Sequence, residues 1–359
     1  MSWKDTVEEL SKKPAYQGGI SASEVTKHYN INIKKFANLQ SNENLFVPSS
    51  YLKSIFNVAI KELDPRLYPK DEPTRLEEAL ASYTGVKPDS VLLGSGADQL
   101  MDLLISLFGP HGGIAYPVPT YSYYGISATL RGIKTVEVPY LKDFSMNIDK
   151  LIAASPSITF VCTPNNPTGH AVNDEQLKEL IERSKGLVVV DETYTEFLGK
   201  SFASLIDKYN NLIILRTMSK SFGIASLRVG YLLANANLTL NLKKAQLPFV
   251  VSTLGAIVSI NLLQKLPYFK SKWMEAQNTM KKFLNELEPG VARTPTATYF
   301  VTISTCKPNN DVYVELLKYG YITRIIRPFM DYKNPIRLSV APYKMISNLP
   351  YLINGLSKC

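Results

Sequence analysis

Cysteine is scarce. The three present, at 162, 306 and 359, are too few and too scattered for a disulfide framework or a zinc site. No apolar run approaches the roughly 20 residues that a membrane span needs, so no membrane partner is expected. The opening MSWKDTVEELSKK is charged and has no apolar core, which argues against a secretory signal. A reducing cytoplasm is the expected setting. There is no internal repeat and no low-complexity linker. At 45% hydrophobic and 20% charged residues, the composition excludes a disordered chain, a collagen or a coiled coil. Lys and Arg outnumber Asp and Glu by 40 to 31, a formal +9. The basic residues are dispersed, however, in nothing longer than pairs such as Lys12-Lys13, Lys34-Lys35, Lys243-Lys244 and Lys281-Lys282. A nucleic-acid face shows a clustered stripe or a recognisable module, and neither is present. The charge reads as a solvated surface that attracts anionic small molecules.

What the chain does have is alternation. From about residue 85 to 235, short apolar runs trade places with amphipathic ones. Val91-Leu92-Leu93 reads as a strand and runs into Gly94-Ser95-Gly96-Ala97-Asp98. Leu100, Leu103, Leu104, Leu107 and Phe108 then follow at helical spacing, and Gly109-Pro110 ends that helix. Ser157–Val161 is strand-like. Asn173 with Gln176 is a capping-box signature. Leu187–Val190 and Leu212–Leu215 are continuous apolar runs, as in strands covered on both faces. Val229–Leu233 is a further strand, read as antiparallel to the rest. Strands alternating with helices make an α/β domain with a mostly parallel sheet. After about 245 a long helical region to Leu287 precedes two strand-like runs, 299–303 and 336–340, with a helix between them. The expected organisation is an arm at 1–40, a large α/β domain at 41–245, and a smaller α+β domain at 246–359.

In an open α/β sheet, ligands bind beyond the carboxyl ends of the strands. Four successive strand ends carry chemistry here: the glycine turn at 94–98; Thr163-Pro164-Asn165-Asn166-Pro167-Thr168-Gly169; Asp191-Glu192-Thr193-Tyr194; and Arg216-Thr217-Met218-Ser219-Lys220. The glycine turn lacks the third glycine of a dinucleotide fingerprint, where Gln99 stands, and lacks the acidic residue further on. It can still offer a helix N-terminus to a phosphate. A lysine ending a buried strand can form a Schiff base when its pKa is lowered. An enclosed carboxylate can pair with a protonated pyridine nitrogen. Taken singly, a tight turn, a snorkelling lysine and a salt-bridged aspartate are ordinary structural features. Together they supply an anchor, a tether and a pyridinium partner, which is what pyridoxal phosphate requires.

PNNPTG at 164–169, DETYTEF at 191–197 and SKSFGIASLRVGY at 219–231 resemble, in string and order, fold-type I pyridoxal-phosphate enzymes, the class I and II aminotransferases. Within that group the chain is most similar to histidinol-phosphate aminotransferases, through AYQGG at 15–19, SNEN at 41–44, LYP at 67–69, GSGADQ at 94–99, PTYSYY at 119–124, IIRPF and IRLSV. The resemblance covers about residues 15–355. It implies the fold-type I transferase fold, with a large domain built on a mostly parallel sheet and a smaller α+β C-terminal domain. It also implies roles. Lys220 tethers the cofactor and moves the proton. Asp191 meets the ring nitrogen, Tyr194 and Asn166 the ring oxygen, and Tyr121 the ring face. The Gly96, Ala97 and Asp98 turn, Thr217, Ser219 and Arg228 hold the phosphate, with Tyr68 reaching in from a partner subunit of a homodimer with shared sites. Asn44 and Arg337 hold the substrate carboxylate. Tyr16 lies over the substrate, and Arg327, with Arg324 as a possible third arginine, faces its phosphate. The implied reaction moves the amino group of L-histidinol phosphate to 2-oxoglutarate, without a metal. The alternatives are a threonine-phosphate decarboxylase and an aromatic amino-acid aminotransferase. The sequence departs from the family where SNEN continues as Leu45-Phe46-Val47-Pro48, around Thr323–Pro328, and at Ala341.

Overall fold

The structure is a computed structural model that describes residues 2–29, 31 and 36–358; Lys34, Lys35 and Cys359, noted above, lie outside the described residues. The first 40 residues hold two helices, Trp3–Ser11 and Ala22–Tyr29, and end in a short strand, β1 (Ala37–Asn38). Ser2 and Asp5 cap the first helix reciprocally. That helix buries no residue, so no core-facing period marks it in the sequence.

Seven strands build the main sheet: β2 (Val91–Ser95), β3 (Ile114–Val118), β4 (Thr135–Pro139), β5 (Ile158–Cys162), β6 (Leu187–Asp191), β7 (Leu212–Thr217) and β8 (Val229–Leu233). Their order is β2-β8-β7-β6-β5-β3-β4. β3 to β7 pair in parallel, and β8 runs antiparallel between β2 and β7, as the sequence reading held. Every residue of β5, β7 and β8 is buried. Side chains alternate between two apolar layers, Val188, Val190 and Ile214 on one face and Val189, Ile213 and Leu215 on the other. With helices on both faces there is no polar side to pattern, hence the unbroken apolar runs.

The helix Gly96–Phe108 follows β2 directly. Asn173 caps the helix Asp174–Arg183, its side chain accepting from Glu175 and Gln176 N–H. The box is not closed, because Gln176 instead accepts from the Met146 N–H at 3.2 Å. The long helical region beyond 246 is two helices, Thr253–Leu263 and Leu266–Asn285, the second with a proline in its first turn. The first of these packs on helices Ser49–Glu62 and Glu72–Thr84.

The C-terminal part adds β9 (Ala292–Arg293), β10 (Phe300–Ser304), β11 (Tyr321–Ile322), β12 (Arg324–Ile325) and β13 (Pro335–Ser339). An antiparallel sheet runs β12-β13-β10-β9. β11 instead pairs in parallel with β1, so the end of the expected arm is joined to the C-terminal region. Cys162 is buried and free, whereas Cys306 is disulfide-bonded, a bridge that the wide cysteine spacing did not suggest. Among the described residues no helix is long and apolar enough to cross a membrane.

Candidate active site

The carboxyl ends of β2, β5, β6 and β7 open on one crevice. Asp191 is the last residue of β6 and is buried. Burial raises its pKa, while hydrogen bonds from Thr193 and Tyr124 pull the other way. Its Oδ1 accepts from the Thr193 N–H at 3.0 Å and the Thr193 hydroxyl at 2.5 Å, and its Oδ2 accepts from the Tyr124 hydroxyl at 2.6 Å. No cation is paired with it among the described residues. An enclosed carboxylate held in this way is poised for a cationic partner.

Lys220 follows β7 in the short helix Met218–Ser221, whose first turn is held by the Thr217 side chain. Its ammonium donates to the Ser41 carbonyl at 2.7 Å. Desolvation, with Arg337 nearby, lowers its pKa to about 8. A lysine is thereby made available as a neutral amine near physiological pH.

A tight glycine turn forms where β2 meets its helix. Gly96 has φ +75, and a Cβ there would lie 2.4 Å from Arg228 Nη2. A Cβ on Gly230, on the adjacent β8, would lie 2.3 Å from the Gly96 backbone. Glycine at both places lets the guanidinium and the strand close on the helix start. Arg228 itself has φ 52 and reaches Asp98 Oδ2 at 2.9 Å. Ala97 is buried at the first turn, and Ser219 Oγ is buried without a partner. Thr217 is otherwise engaged: its hydroxyl donates to the Val229 carbonyl and accepts from the Ser219 N–H, both at 3.1 Å. It shapes the turn and leaves Ser219 as the hydroxyl with free capacity.

Tyr121 donates to Asp98 Oδ1 at 3.1 Å. Tyr16, from the arm, meets Tyr121 and Tyr123 edge-on, with ring centres 6.2 and 5.9 Å apart. The arm therefore does reach the crevice. Arg337, on β13, is buried and donates to Asn166 Oδ1 at 2.5 Å and to the Gln40 carbonyl. Burial lowers its pKa, and its Nε has no partner.

Three expected residues are placed differently. The Asn44 amide is engaged by backbone, donating to the Ser221 carbonyl in the short helix that carries Lys220 at 2.8 Å and accepting from the Phe46 N–H at 3.1 Å. Asn42, two residues earlier, takes the place facing the crevice: its Nδ2 donates to the Tyr194 hydroxyl at 3.1 Å and its buried Oδ1 is unpartnered. Arg327 is exposed and makes no hydrogen bond or ion pair among the described residues. Arg324 instead stands opposite Arg337 in the β12–β13 register. Tyr68 is 74% exposed and stacks on Phe249, ring centres 4.6 Å apart, with no contact to the crevice of its own chain. Tyr124 had no sequence assignment. Its only signal was its place in the aromatic string 121–124.

The pyridoxal phosphate that the resemblance implies fits what is left open. The helix start with Ser219 Oγ and Arg228 suits a phosphate, the unpaired Asp191 carboxylate suits a pyridinium, and Lys220 suits an aldehyde carbon. Tyr194, next to Asn42 and Asn166, is the donor available to a ring oxygen, and burial raises its pKa so that it keeps its proton.

The family model described as aminotransferase class I and II matches residues 34–356. A histidinol-phosphate aminotransferase of Thermoanaerobacter sp. (strain X514) is 32% identical over 328 residues, covering 89% of this chain and 92% of that one. One from Methanococcoides burtonii is 34% identical over 326 residues, with 89% of each chain covered. The crystal structure of histidinol-phosphate aminotransferase from Sinorhizobium meliloti in complex with pyridoxal-5'-phosphate superposes with a TM-score of 0.82 at 23% identity, over 97% of both chains. The chain belongs to the class I and II aminotransferase family.

Proposed function

We propose that this class I and II aminotransferase binds pyridoxal phosphate and transfers the amino group of L-histidinol phosphate to 2-oxoglutarate, giving imidazole-acetol phosphate and glutamate in histidine biosynthesis. The observation that carries the reading is Lys220. It sits in the short helix just beyond buried β7 with its pKa lowered to about 8, and shares one crevice with a buried carboxylate that has no cation partner among the described residues, Asp191, and a buried arginine, Arg337.

When bound, the cofactor supplies an electron sink for cleavage of the substrate Cα–H bond. The chain does the rest. Lys220 Nζ would tether the cofactor, and it is the group placed to take up and return the substrate's Cα proton. Asp191, whose three donated hydrogen bonds oppose the upward pull of burial on its pKa, would face the ring nitrogen and favour its protonated form. Tyr194 and Asn166 would hold the ring oxygen, Tyr121 would cover the ring, and the Gly96–Asp98 backbone with Ser219 and Arg228 would anchor the phosphate. Arg337 orients the anionic end of each substrate, with a guanidinium fork suited to oxyanions. Arg324, its cross-strand neighbour with no carboxylate partner, supplies the second cationic donor that a phosphate dianion asks for. Asn42 stands in for Asn44 beside Tyr194.

A second copy completes the site. Tyr68 and Phe249 form an exposed aromatic pair beside exposed Leu67 and Leu247. An apolar patch of that kind fits an interface. Tyr68 crosses it to the cofactor phosphate of the neighbour in a homodimer. The cytoplasm is the compartment this reading expects, since the reaction acts on free biosynthetic intermediates.

The test is a donor panel with 2-oxoglutarate: histidinol phosphate, phenylalanine and threonine phosphate. Glutamate formed fastest from histidinol phosphate supports the reading. Equal use of phenylalanine favours the aromatic aminotransferase, and carbon dioxide from threonine phosphate favours the decarboxylase.

A further inference from the structure

Residues 16–20 cross the front of the site without regular secondary structure. Tyr16 begins this strap, set against Tyr121 and Tyr123. An irregular segment with two glycines, Gly18 and Gly19, has no helix or ladder to hold it. Side chains from elsewhere hold it instead. Gln40 grips Ile20 in both directions: its Oε1 accepts from the Ile20 N–H at 2.9 Å, and its Nε2 donates to the Ile20 carbonyl at 2.7 Å. Arg324 donates from Nη1 to the Gly18 carbonyl at 2.8 Å and from Nη2 to the Gln17 carbonyl at 2.7 Å. Among the described residues these four bonds are the strap's backbone ties.

Both ties lead to Arg337. Gln40 is 4% exposed, and its own carbonyl accepts from Arg337 Nη2. Arg324 lies directly across the β12–β13 ladder from Arg337. One residue, Gln40, therefore uses its side chain on the strap and its main chain on the arginine.

We propose that Gln40 is a positioning residue that couples the seating of the 16–20 strap over the site to the orientation of Arg337, and so sets affinity for anionic substrates. This rests on the reading of Arg337 as the arginine that holds the substrate anion. If the strap releases, Gln40 loses both partners, its backbone gains freedom, and the acceptor fixing Arg337 Nη2 is no longer held in place. The coupling is reciprocal. An anion on Arg337 steadies Gln40 and hence the strap, and it screens Arg337 from the like charge of Arg324. Among the described residues the Gln40 side chain makes no hydrogen bond to Lys220 or Asp191; only its chain neighbour Ser41 meets Lys220, through the carbonyl, so the substitution is read mainly in substrate affinity.

Amide hydrogen exchange at Ile20 reads strap seating directly, because the Ile20 N–H is the group that Gln40 accepts. In the holoenzyme this amide exchanges more slowly than those of Gly18 and Gly19, and 2-oxoglutarate slows it further. Gln40→Met keeps length and apolar stem but removes both bonds. It speeds Ile20 exchange about tenfold and abolishes the effect of 2-oxoglutarate, the loss expected for one to two hydrogen bonds. KM for 2-oxoglutarate rises by a similar factor while kcat stays within about twofold. Gly19→Ala gives the same result by another route, since a Cβ there would lie 2.6 Å from Gln40 Cδ and drive the amide off Ile20. Unchanged Ile20 exchange in both variants overturns the clasp. Fast exchange with an unchanged KM overturns the coupling. If the wild type transaminates none of the donors, the exchange measurement still reads the strap and its response to the anion, so failure of the functional reading is told apart from failure of this one.

Discussion

The hydroxyl of Tyr124 donates to Oδ2 of Asp191 across 2.6 Å, with both residues enclosed by protein. Tyr124 is held for this task. It opens the second residue of the helix Tyr123–Leu130, and its ring stacks on Phe160 of β5, centres 4.7 Å apart. β5 and β6 are adjacent and parallel, with Cys162 level with Asp191. Packing on one strand thus aims a hydroxyl at the carboxylate that ends the next.

Tyr124→Phe tests that relationship. The ring and its stacking stay, and Asp191 loses one of three donors. A hydrogen bond to a charged group is worth about 1.5–3 kcal/mol, so the carboxyl pKa rises and its hold on a protonated ring nitrogen weakens. We expect kcat to fall about tenfold to a hundredfold with cofactor still bound. The cofactor's absorption band should change its pH dependence. A wild-type rate with a wild-type titration curve would reduce Tyr124 to packing.

Lys220 gives a pH prediction of definite sign. Its pKa is lowered to about 8, first by burial and then by Arg337, with Glu43 acting the other way. In cofactor-free protein, acylation of Lys220 should therefore rise with pH through a midpoint near 8. An exposed lysine titrates near 10.4. Arg337→Gln removes a neighbouring cation, favours the ammonium form and moves the midpoint up. Glu43→Gln moves it down. Movement in the opposite sense in either variant would show that these charges do not govern the amine.

Five of the seven strands and the principal chemistry were legible because buried strands announce themselves; β3, interrupted by Pro117, and β4, the half-exposed edge strand with Glu137, were not read. Leu187–Val190 and Leu212–Leu215 are apolar on both faces, so the polar residues at or just beyond their ends, Asp191 and Lys220, stand out. Even the reversal of β8 was readable. What was not readable lies in loops and register. Asn42 and Asn44 are the same residue type two positions apart, and the backbone at Asn42, with φ 51, decides which faces Tyr194. The sequence puts Arg327 ahead of Arg324, because nothing in it tells that β12 pairs through Arg324 and ends at Ile325. The break between the helices at 253–263 and 266–285 was signalled by Pro267, whose place in a first turn is ordinary.

Shared sites make a complementation prediction. In its own chain, among the described residues, the Tyr68 ring meets only that of Phe249, and no hydrogen bond joins it to Arg228 or Ser219. If it serves a neighbouring subunit, Tyr68→Phe and Lys220→Ala homodimers are each impaired at both sites. Mixed protomers assemble heterodimers in which one site holds both lesions and the other neither. Unfolding and refolding the two variants together should recover about a quarter of wild-type activity, since half the dimers are mixed and each has one intact site. No recovery, or full activity in a sedimenting monomer, would place Tyr68 outside the site.

The arginines decide the substrate. Arg337 is buried and already hydrogen-bonded to Asn166 and Gln40, and Arg324 faces it across the ladder. In the reading proposed above, Arg324 takes the phosphate-facing role in place of Arg327, which is exposed and unpaired among the described residues. Arg324→Ala should weaken histidinol phosphate about tenfold to a hundredfold, as expected for loss of a charged hydrogen-bond donor. Phenylalanine, with no second anion, should be nearly unaffected, and Arg327→Ala should leave both donors close to wild type. Arg324→Ala also frees the Gln17 and Gly18 carbonyls, so its effect mixes charge with loss of the strap. Arg324→Lys separates the two, because a lysine keeps the charge but not the fork that spans two carbonyls. If Lys restores use of histidinol phosphate while the strap still exchanges fast, the charge recognises the phosphate. If neither recovers, Arg324 acts through the strap alone, and the second donor for the dianion must be sought elsewhere.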